Sequence, residues 1–273
     1  MRPRSTVQQR PYLYMLLTIL CSFLISTPAF ADCQLIADNT PSSAPRLLRV
    51  ALAPNEVQIR YIGHSTFELE TARGIRIATD YNDSVRPRRA PTIATMNGAH
   101  STHYSLLPDP AIEHLLYGWN RQGGPIDHDL TVGDVRIRNI QTNTRGWDGE
   151  VHRLGNSIFI FEIADLCIAH LGHLHQRLTQ EDLKRLGQID IVFAAIDNTS
   201  TLRIDSLMDV LAAIRPAMVI PMHFHFHGAL ETFMARATAD GYDVVMATDP
   251  VLIARRDKLP AQNTVYVMMP GGS

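Results

Sequence analysis

The chain has 273 residues, of which 45% are hydrophobic and 19% are charged. This composition is typical of a globular protein and argues against the disordered, collagen-like and disulfide-scaffold classes. The 25 Lys and Arg residues are balanced by 27 Asp and Glu residues, which gives a formal net charge of −2. Because there is no basic excess, nucleic acid is not an expected partner. The length suits one α/β-type domain or two small ones.

The N-terminus has the features of a cleaved secretory signal. Arginines at positions 2, 4 and 10 precede an apolar run at residues 12–25, and residues 29–31 form an A-x-A cleavage site. The alternative is an uncleaved membrane anchor, which the short run disfavours because a span needs ~20 apolar residues. We therefore expect a signal peptide at residues 1–31, no stable membrane anchor, and a periplasmic or secreted protein.

Export changes the interpretation of the cysteines. Cys21 would leave with the signal, so Cys33 and Cys167 would remain together in an oxidising compartment. A disulfide between them and two separate thiols are both compatible with the sequence, because geometry decides the matter. Two cysteines are too few for a cysteine-rich structural zinc site.

The mature chain is predicted to contain an irregular lead-in at residues 32–56 and one domain at residues 57–273. Alternation of apolar and polar residues predicts the early strands. These strands are residues 57–62, 66–71, 75–80, 132–140, 157–163 and 166–171, the last two joined as a hairpin. Residues 81–128 lack clear periodicity and are expected to form a long loop that carries part of a site.

Strands and helices alternate in the remainder of the chain. Thr179 and Asp182 resemble a capping box, and Gly187 is a plausible end for the helix that follows it. The further predicted elements are a strand at 189–196, a helix at 204–214, a strand at 217–222, a helix at 230–240 and a strand at 243–247. Strands followed by alternating strands and helices favour stacked sheets with helices outside.

Twelve histidines are present, and many lie in predicted loops or at predicted strand ends. The densest groups are His170-x-x-His173-x-His175 and His223-x-His225-x-His227. In extended chain, residues i and i+2 share one face at ~6.5 Å, so each group can present several imidazoles together. A single histidine is more often structural, but two clusters after predicted strands favour a metal site.

Four segments together resemble the metallo-β-lactamase superfamily, in the branch of ascorbate-6-phosphate-lactonase-like metal-dependent hydrolases. They are YIGHSTF at residues 61–67, IATD at 77–80, IAHLGHLHQRLTQEDLKRLGQIDIVFAAI at 168–196 and PAMVIPMH at 216–223. The likeness extends over roughly residues 57–265. It implies an α+β fold, a four-layer αββα sandwich, with a metal site at one edge of the two sheets.

The chain departs from that family's H-x-H-x-D-H signature. Matched from His103 onward, the signature retains only His103, and the next ligand position falls near Asn143. His173 stands at the family's bridging Asp, and the last ligand, His223, is intact. The resemblance therefore implies a mononuclear site of His103, His173 and His223, with one zinc or other divalent transition metal per chain. Further candidate ligands are His175, His225 and His100.

The resemblance places two further residues beside the cleft. Asp80 and His64 are candidates for catalytic acid–base chemistry or for hydrogen bonds that support a metal ligand. For Asp80, a turn residue after a strand is an equally good interpretation. Three histidines and an open position suit a catalytic metal that activates water.

The predicted function is an exported, metal-dependent hydrolase of a small ester, lactone or phosphoester. The alternative is a catalytically silent protein of the same fold that binds a ligand or a metal. A hydrolase that uses a side-chain nucleophile is excluded, because the sequence has no G-x-S-x-G elbow and no recognisable cysteine nucleophile motif.

Overall fold

The computed structural model describes residues 51–146, 148–224 and 227–271, and of His227 the backbone alone. The predicted signal peptide, most of the predicted lead-in and His225 lie outside the described residues. Within them, no helix is long and apolar enough to cross a membrane.

Strands dominate the described part of the chain. In chain order they are β1 (Val57–Gly63), β2 (Thr66–Thr71), β3 (Arg76–Ala78), β4 (Ile93–Met96), β5 (His114–Tyr117), β6 (Asp129–Val132), β7 (Val135–Arg145), β8 (Val151–Ile163), β9 (Leu166–His170), β10 (Ile191–Ala195), β11 (Met218–Met222), β12 (Asp243–Met246), β13 (Val251–Ala254) and β14 (Thr264–Val267). The helices are α1 (Gln180–Leu186), α2 (Ile204–Ile214), α3 (His227–Ala239) and a 3-10 turn at Arg256–Lys258.

The first sheet has six strands in the order β13-β1-β2-β3-β4-β5. Its antiparallel strands β1, β2 and β3 lie where alternation predicts them. The expectation of one long loop at residues 81–128 is wrong, because this region contains β4 and β5, which run parallel to β3. All four residues of β4 are buried, so this strand shows no apolar–polar alternation.

The second sheet has eight strands in the order β12-β14-β11-β10-β9-β8-β7-β6. The hairpin of β8 and β9 is confirmed, with Ala164 and Asp165 in left-handed backbone conformation at its turn. The single strand predicted at residues 132–140 is instead divided between β6 and β7. Gly133, with φ 58°, lies in the tight turn between them.

Helices α1 and α2 agree with their sequence signals, and α3 begins three residues before its predicted start at residue 230. The Thr179 side chain accepts a hydrogen bond from the Asp182 N–H, and the Asp182 carboxylate accepts one from the Thr179 N–H, which completes the capping box of α1. Helix α2 has the predicted bounds. Its buried face, which includes Leu207 and Leu211, packs into the same core as α1 and α3.

The two sheets form a sandwich with a separate core on each side of the larger sheet. One core, which includes Phe67, Phe159 and Phe193, fills the space between the sheets. The other joins the larger sheet to the three helices. A smaller cluster with Ala78, Ala94 and Met96 lies on the opposite face of the smaller sheet. The predicted α+β sandwich is confirmed.

Cys167 on β9 is buried and is disulfide-bonded. This settles one of the alternatives that the sequence left open, since Cys167 is not a thiol. The other cysteine that would remain after export, Cys33, lies outside the described residues.

Candidate metal centre

Four histidines meet at one edge of the sandwich. His64, His100, His103 and His223 each offer a ring nitrogen, and these four atoms lie within 4.8 Å of one another. Nε2 of His223 is 3.1 Å from Nε2 of His103 and 3.4 Å from Nε2 of His100. His103 and His223 are buried, both ring nitrogens of His64 are buried, and His100 is half-buried.

Strand topology explains why these residues meet. Strands β9, β10 and β11 are parallel, so the segments that follow them share one edge of the larger sheet. In the smaller sheet β3 and β4 are parallel, and the β1–β2 turn lies at the same end because β2 is antiparallel to β3. The carboxyl ends of β3, β4, β10 and β11 and the β1–β2 turn therefore converge.

His64 and His223 are joined through their backbones. His64 lies in the β1–β2 turn with φ 51°, and His223 follows β11 with φ 59°. The carbonyl oxygen of His64 accepts hydrogen bonds from the His223 N–H at 2.7 Å and from the Tyr61 hydroxyl at 2.8 Å. Left-handed backbone is costly for residues other than glycine and is concentrated at functional sites, where surrounding contacts hold it.

His100 and His103 both come from the segment after β4, and their proximity favours a second match to the H-x-H-x-D-H signature. When the H-x-H-x-D-H spacing is set to end at His103, its positions fall on Gly98, His100, Thr102 and His103. Two ligand positions then survive instead of one. The H-x-H-x-D-H spacing is therefore present in the sequence. It is hard to recognise because Gly98 stands in place of the first His and Thr102 in place of the Asp.

Packing accounts for one of these replacements. A Cβ atom on Gly98 would lie 2.9 Å from the Trp119 ring, so a side chain does not fit there without rearrangement. The Thr102 hydroxyl lies 2.8 Å from Nδ1 of His100 and engages the outer nitrogen of that ring.

Asp80 is buried and lies on the Nδ1 side of the His103 ring. Its Oδ2 is 2.5 Å from Nδ1 of His103, its Oδ1 accepts a hydrogen bond from Nδ2 of Asn97 at 2.9 Å, and its side chain has no exposed surface. Burial raises the pKa of Asp80 to about 6, although His170, Asn97 and His100 act to lower it. With φ 42° and both oxygens engaged, Asp80 fits a residue that holds a ligand in place.

His173 lies next to the four histidines but is not one of them. Its ring centre is 5.1 Å from those of His100 and His103 and 5.3 Å from that of His223. Both of its ring nitrogens are buried and have no hydrogen-bond partner among the described residues. Burial and the neighbouring His100 lower its pKa to about 4. Its predicted role as a ligand stays a prediction.

Two other histidines of the predicted clusters differ in their surroundings. His170 has both ring nitrogens engaged, one with the Ser65 carbonyl oxygen at 2.9 Å and one with the Gly172 N–H at 3.1 Å, which is a structural arrangement. His175 is half-buried, and its pKa is lowered by partial burial and by the charge of Arg145.

The donor set fits a transition metal. Burial, followed by the neighbouring histidines, lowers the pKa of His103 and of His223 well below the usual value, so both rings are neutral at pH 7 and carry a lone pair. Two nitrogens at 2.0–2.1 Å from one zinc ion lie roughly 2.9–3.4 Å apart for bond angles between 90° and tetrahedral. The Nε2 separations of 3.1 and 3.4 Å fall within that range.

Comparison with known proteins points in the same direction. A family model described as a beta-lactamase superfamily domain matches residues 58–223. A UPF0173 metal-dependent hydrolase of Salinibacter ruber is 23% identical over 214 residues, which is 68% of this chain and 92% of the relative. A UPF0173 protein of Pyrococcus abyssi is 24% identical over 189 residues, which is 63% of this chain and 85% of the relative.

Solved structures share the fold. A Thermotoga maritima protein described as a Zn-dependent hydrolase of the metallo-beta-lactamase superfamily superposes with a TM-score of 0.57 at 23% identity, covering 78% of this chain and 98% of its own. Igni18, a metallo hydrolase from Ignicoccus hospitalis, superposes with a TM-score of 0.51 at 17% identity, covering 79% of this chain and 96% of its own.

Proposed function

The chain belongs to the beta-lactamase superfamily, and from that premise we propose that it is a metal-dependent hydrolase with one metal ion held by His100, His103 and His223. The observation that carries the proposal is the convergence of three Nε2 atoms, with separations of 3.1 and 3.4 Å from that of His223. The other ring nitrogen of each histidine, Nδ1, faces a different group. Thr102 lies at Nδ1 of His100, Asp80 at that of His103 and Asp197 at that of His223.

A single ion of zinc or another divalent transition metal suits this donor set. Neutral imidazoles favour such metals over magnesium and calcium, which prefer oxygen ligands. Thr102 and His173 occupy positions where the family pattern has carboxylates, so the site lacks the negative charge that would hold two dications together. When bound, the ion lowers the pKa of a water molecule and polarises a carbonyl or phosphoryl oxygen.

The protein residues have separate tasks in this proposal. Asp80 keeps the proton of His103 on Nδ1, so that Nε2 presents its lone pair to the centre. His64, whose ring centre lies 4.1 Å from that of His223, is the candidate to accept or donate protons at the reacting group. Three ligands leave a position open for a small ester, lactone or phosphoester.

Metal analysis with a hydrolysis assay tests the proposal. The purified protein should contain about one transition metal per chain and hydrolyse at least one substrate of a panel of esters, lactones and phosphoesters. Chelation should remove that activity, and zinc or manganese should restore it. If the protein is inactive on the panel although it binds metal stoichiometrically, a silent binding protein is the better description. If it binds no metal below micromolar concentrations, the hydrolytic proposal fails.

We also propose that the protein works outside the cytoplasm after removal of residues 1–31. The disulfide at Cys167 supports this proposal, because such bonds persist mainly in oxidising compartments.

A further inference from the structure

Asp197 lies directly behind the outer nitrogen of His223. It follows β10, on the edge of the sheet where the histidines meet, and its Oδ1 is 3.9 Å from Nδ1 of His223. The Asp197 side chain is 10% exposed and that of His223 is 4% exposed. The His223 ring thus lies between the other histidines, which it approaches with Nε2, and a carboxylate on its opposite side.

The Asp197 carboxylate is fixed by its own loop. Its Oδ2 accepts hydrogen bonds from the Thr199 hydroxyl at 2.7 Å, the Ser200 N–H at 2.9 Å and the Ser200 hydroxyl at 2.6 Å, and Oδ1 accepts one from Thr201. Burial alone would raise the pKa of Asp197. The hydrogen bonds donated to its oxygens by Thr199, Ser200 and Thr201 act in the opposite direction and favour the ionised carboxylate.

A purely structural role for Asp197 would need the same hydrogen bonds, because they close the loop between β10 and α2. Loop closure, however, does not require that the carboxylate face a buried imidazole. An ionised carboxylate on the Nδ1 side favours the tautomer of His223 that carries its proton on Nδ1. That tautomer leaves the Nε2 lone pair directed towards His100 and His103.

The opposite tautomer of His223, with its proton on Nε2, is favoured by a different interaction. The neutral His103 ring carries its proton on Nδ1, towards Asp80, so its Nε2 is an acceptor. An Nε2–H of His223, 3.1 Å away, would donate to it and would remove the lone pair needed for metal binding. Without a charge behind Nδ1, the two rings would therefore pair with each other.

We propose that Asp197 is a positioning residue that holds His223 in its metal-binding tautomer, as Asp80 does for His103. This inference rests on the proposed function, because it assigns His223 as a ligand. The two carboxylates come from opposite sheets, Asp80 from the end of β3 and Asp197 from the end of β10. Together they support the two ligands that face each other across the sandwich edge.

The test measures metal affinity and the tautomer separately. Zinc and Co²⁺ affinities and the visible spectrum of the Co²⁺ form are recorded for the wild type, Asp197→Asn and Asp197→Ala. In the metal-free protein, ¹⁵N NMR of the histidine rings gives the fraction of His223 with its proton on Nδ1. Asp209→Asn, at an exposed residue of α2 paired with Arg177, is the surface control.

Loss of a residue behind a metal ligand typically lowers affinity 10- to 100-fold. We expect a reduction in this range for both Asp197 variants, an altered Co²⁺ spectrum and a smaller fraction of the Nδ1-protonated form, with wild-type affinity in the Asp209→Asn control. Asparagine should be no better than alanine, since its amide N–H favours a lone pair on Nδ1. Unchanged affinity, spectrum and tautomer in Asp197→Asn would overturn the proposal and leave loop closure as the role. If the wild type binds no metal but its tautomer depends on Asp197, the proposed function fails and the positioning role stands.

Discussion

The Asp80 carboxylate accepts a hydrogen bond from Nδ1 of His103 over 2.5 Å, and neither side chain is exposed to solvent. Such a pair fixes both the tautomer and the orientation of the imidazole. This relationship gives Asp80 a specific role that the sequence did not distinguish from that of a turn residue. A conservative substitution of Asp80 can therefore test this role.

Asp80→Asn should lower zinc affinity 10- to 100-fold, because the new amide keeps the volume but no longer enforces a proton on Nδ1 of His103. Isothermal titration with a competing chelator measures the effect. Asp129→Asn, at an exposed residue paired with Arg136, should retain wild-type affinity. Equal affinities in the two variants would show that Asp80 serves the turn alone.

His100→Ala and His223→Ala should each abolish stoichiometric metal binding, because each removes one of three convergent Nε2 atoms. His114→Ala, on β5, should not. Metal content after dialysis, measured by atomic emission, is the readout. The competing ligand set of His103, His173 and His223 makes the opposite prediction for His100 and for His173. If His173→Ala loses the metal while His100→Ala keeps it, that set is correct.

Which residues of the site could be predicted from the sequence depended on the strands that carry them. His64, Asp80 and His223 could be located from the sequence because β1, β3 and β11 are marked by alternation or by an apolar run that stops at a polar residue. The position of His100 beside the other histidines is harder to predict from the sequence, for two reasons. Its strand, β4, is buried on both faces and so has no alternation, and substitutions at Gly98 and Thr102 disguise the motif.

Asp197 was not predicted at all. A single carboxylate after a strand is common, and its importance depends on a contact with His223, which follows a different strand. Sequence patterns report which residues end strands, but they do not report which of those residues face each other. The register of two parallel strands and the direction of their loops decide that, and both are properties of the folded chain.

Gly172→Ala should disturb the support of Asp80 as well as the fold. Gly172 has φ 60°, and an added Cβ would collide with Oδ1 of Asn156 and lie 2.6 Å from Nδ2 of Asn97, the donor to Asp80. Left-handed strain and overpacking together should lower the free energy of unfolding by about 2–4 kcal/mol. Metal affinity should fall as well.

Gly187→Ala is the matched control. Gly187 also has positive φ, but an added Cβ there would meet only the end of the Arg138 side chain at 3.9 Å. The substitution should cost about 1–3 kcal/mol of stability and leave metal affinity unchanged. Urea denaturation measures the loss of stability in the two variants, and zinc titration measures the loss of metal affinity. Equal metal affinity in both variants would contradict a role of Asn97 as the donor that supports Asp80.

The mature protein should begin at Asp32 if the signal is cleaved after Ala31. N-terminal sequencing of protein recovered from the native envelope or medium checks this expectation, and a non-reducing mass measurement checks for a bond between Cys33 and Cys167. An intact Met1 terminus in a membrane fraction would contradict export as a soluble protein.

The metal-free protein should lose stability as the pH falls from about 6.5 towards 4. Burial, followed by neighbouring histidines, lowers the pKa of His103 and His223 well below the usual value and that of His173 to about 4. Since the unfolded chain has ordinary histidine pKa values near 6.5, it binds more protons than the folded chain throughout this interval. The stabilisation is therefore complete above pH 6.5 and is lost on acidification. Asp80 opposes this effect, because its pKa of about 6 lets the folded state take up one proton that the unfolded state does not.

The contribution of one histidine can be isolated by substitution. His173→Gln removes a titrating group without adding a charge, so the pH slope of the unfolding free energy between pH 4 and 6 should fall by up to about 1.4 kcal/mol per pH unit. Urea unfolding of the metal-free protein at several pH values measures the slope. His152→Gln, at an exposed position on β8, should leave it unchanged. A slope that is the same in His173→Gln and wild type would mean that His173 is protonated in the folded state, which its burial next to His100 and His103 argues against.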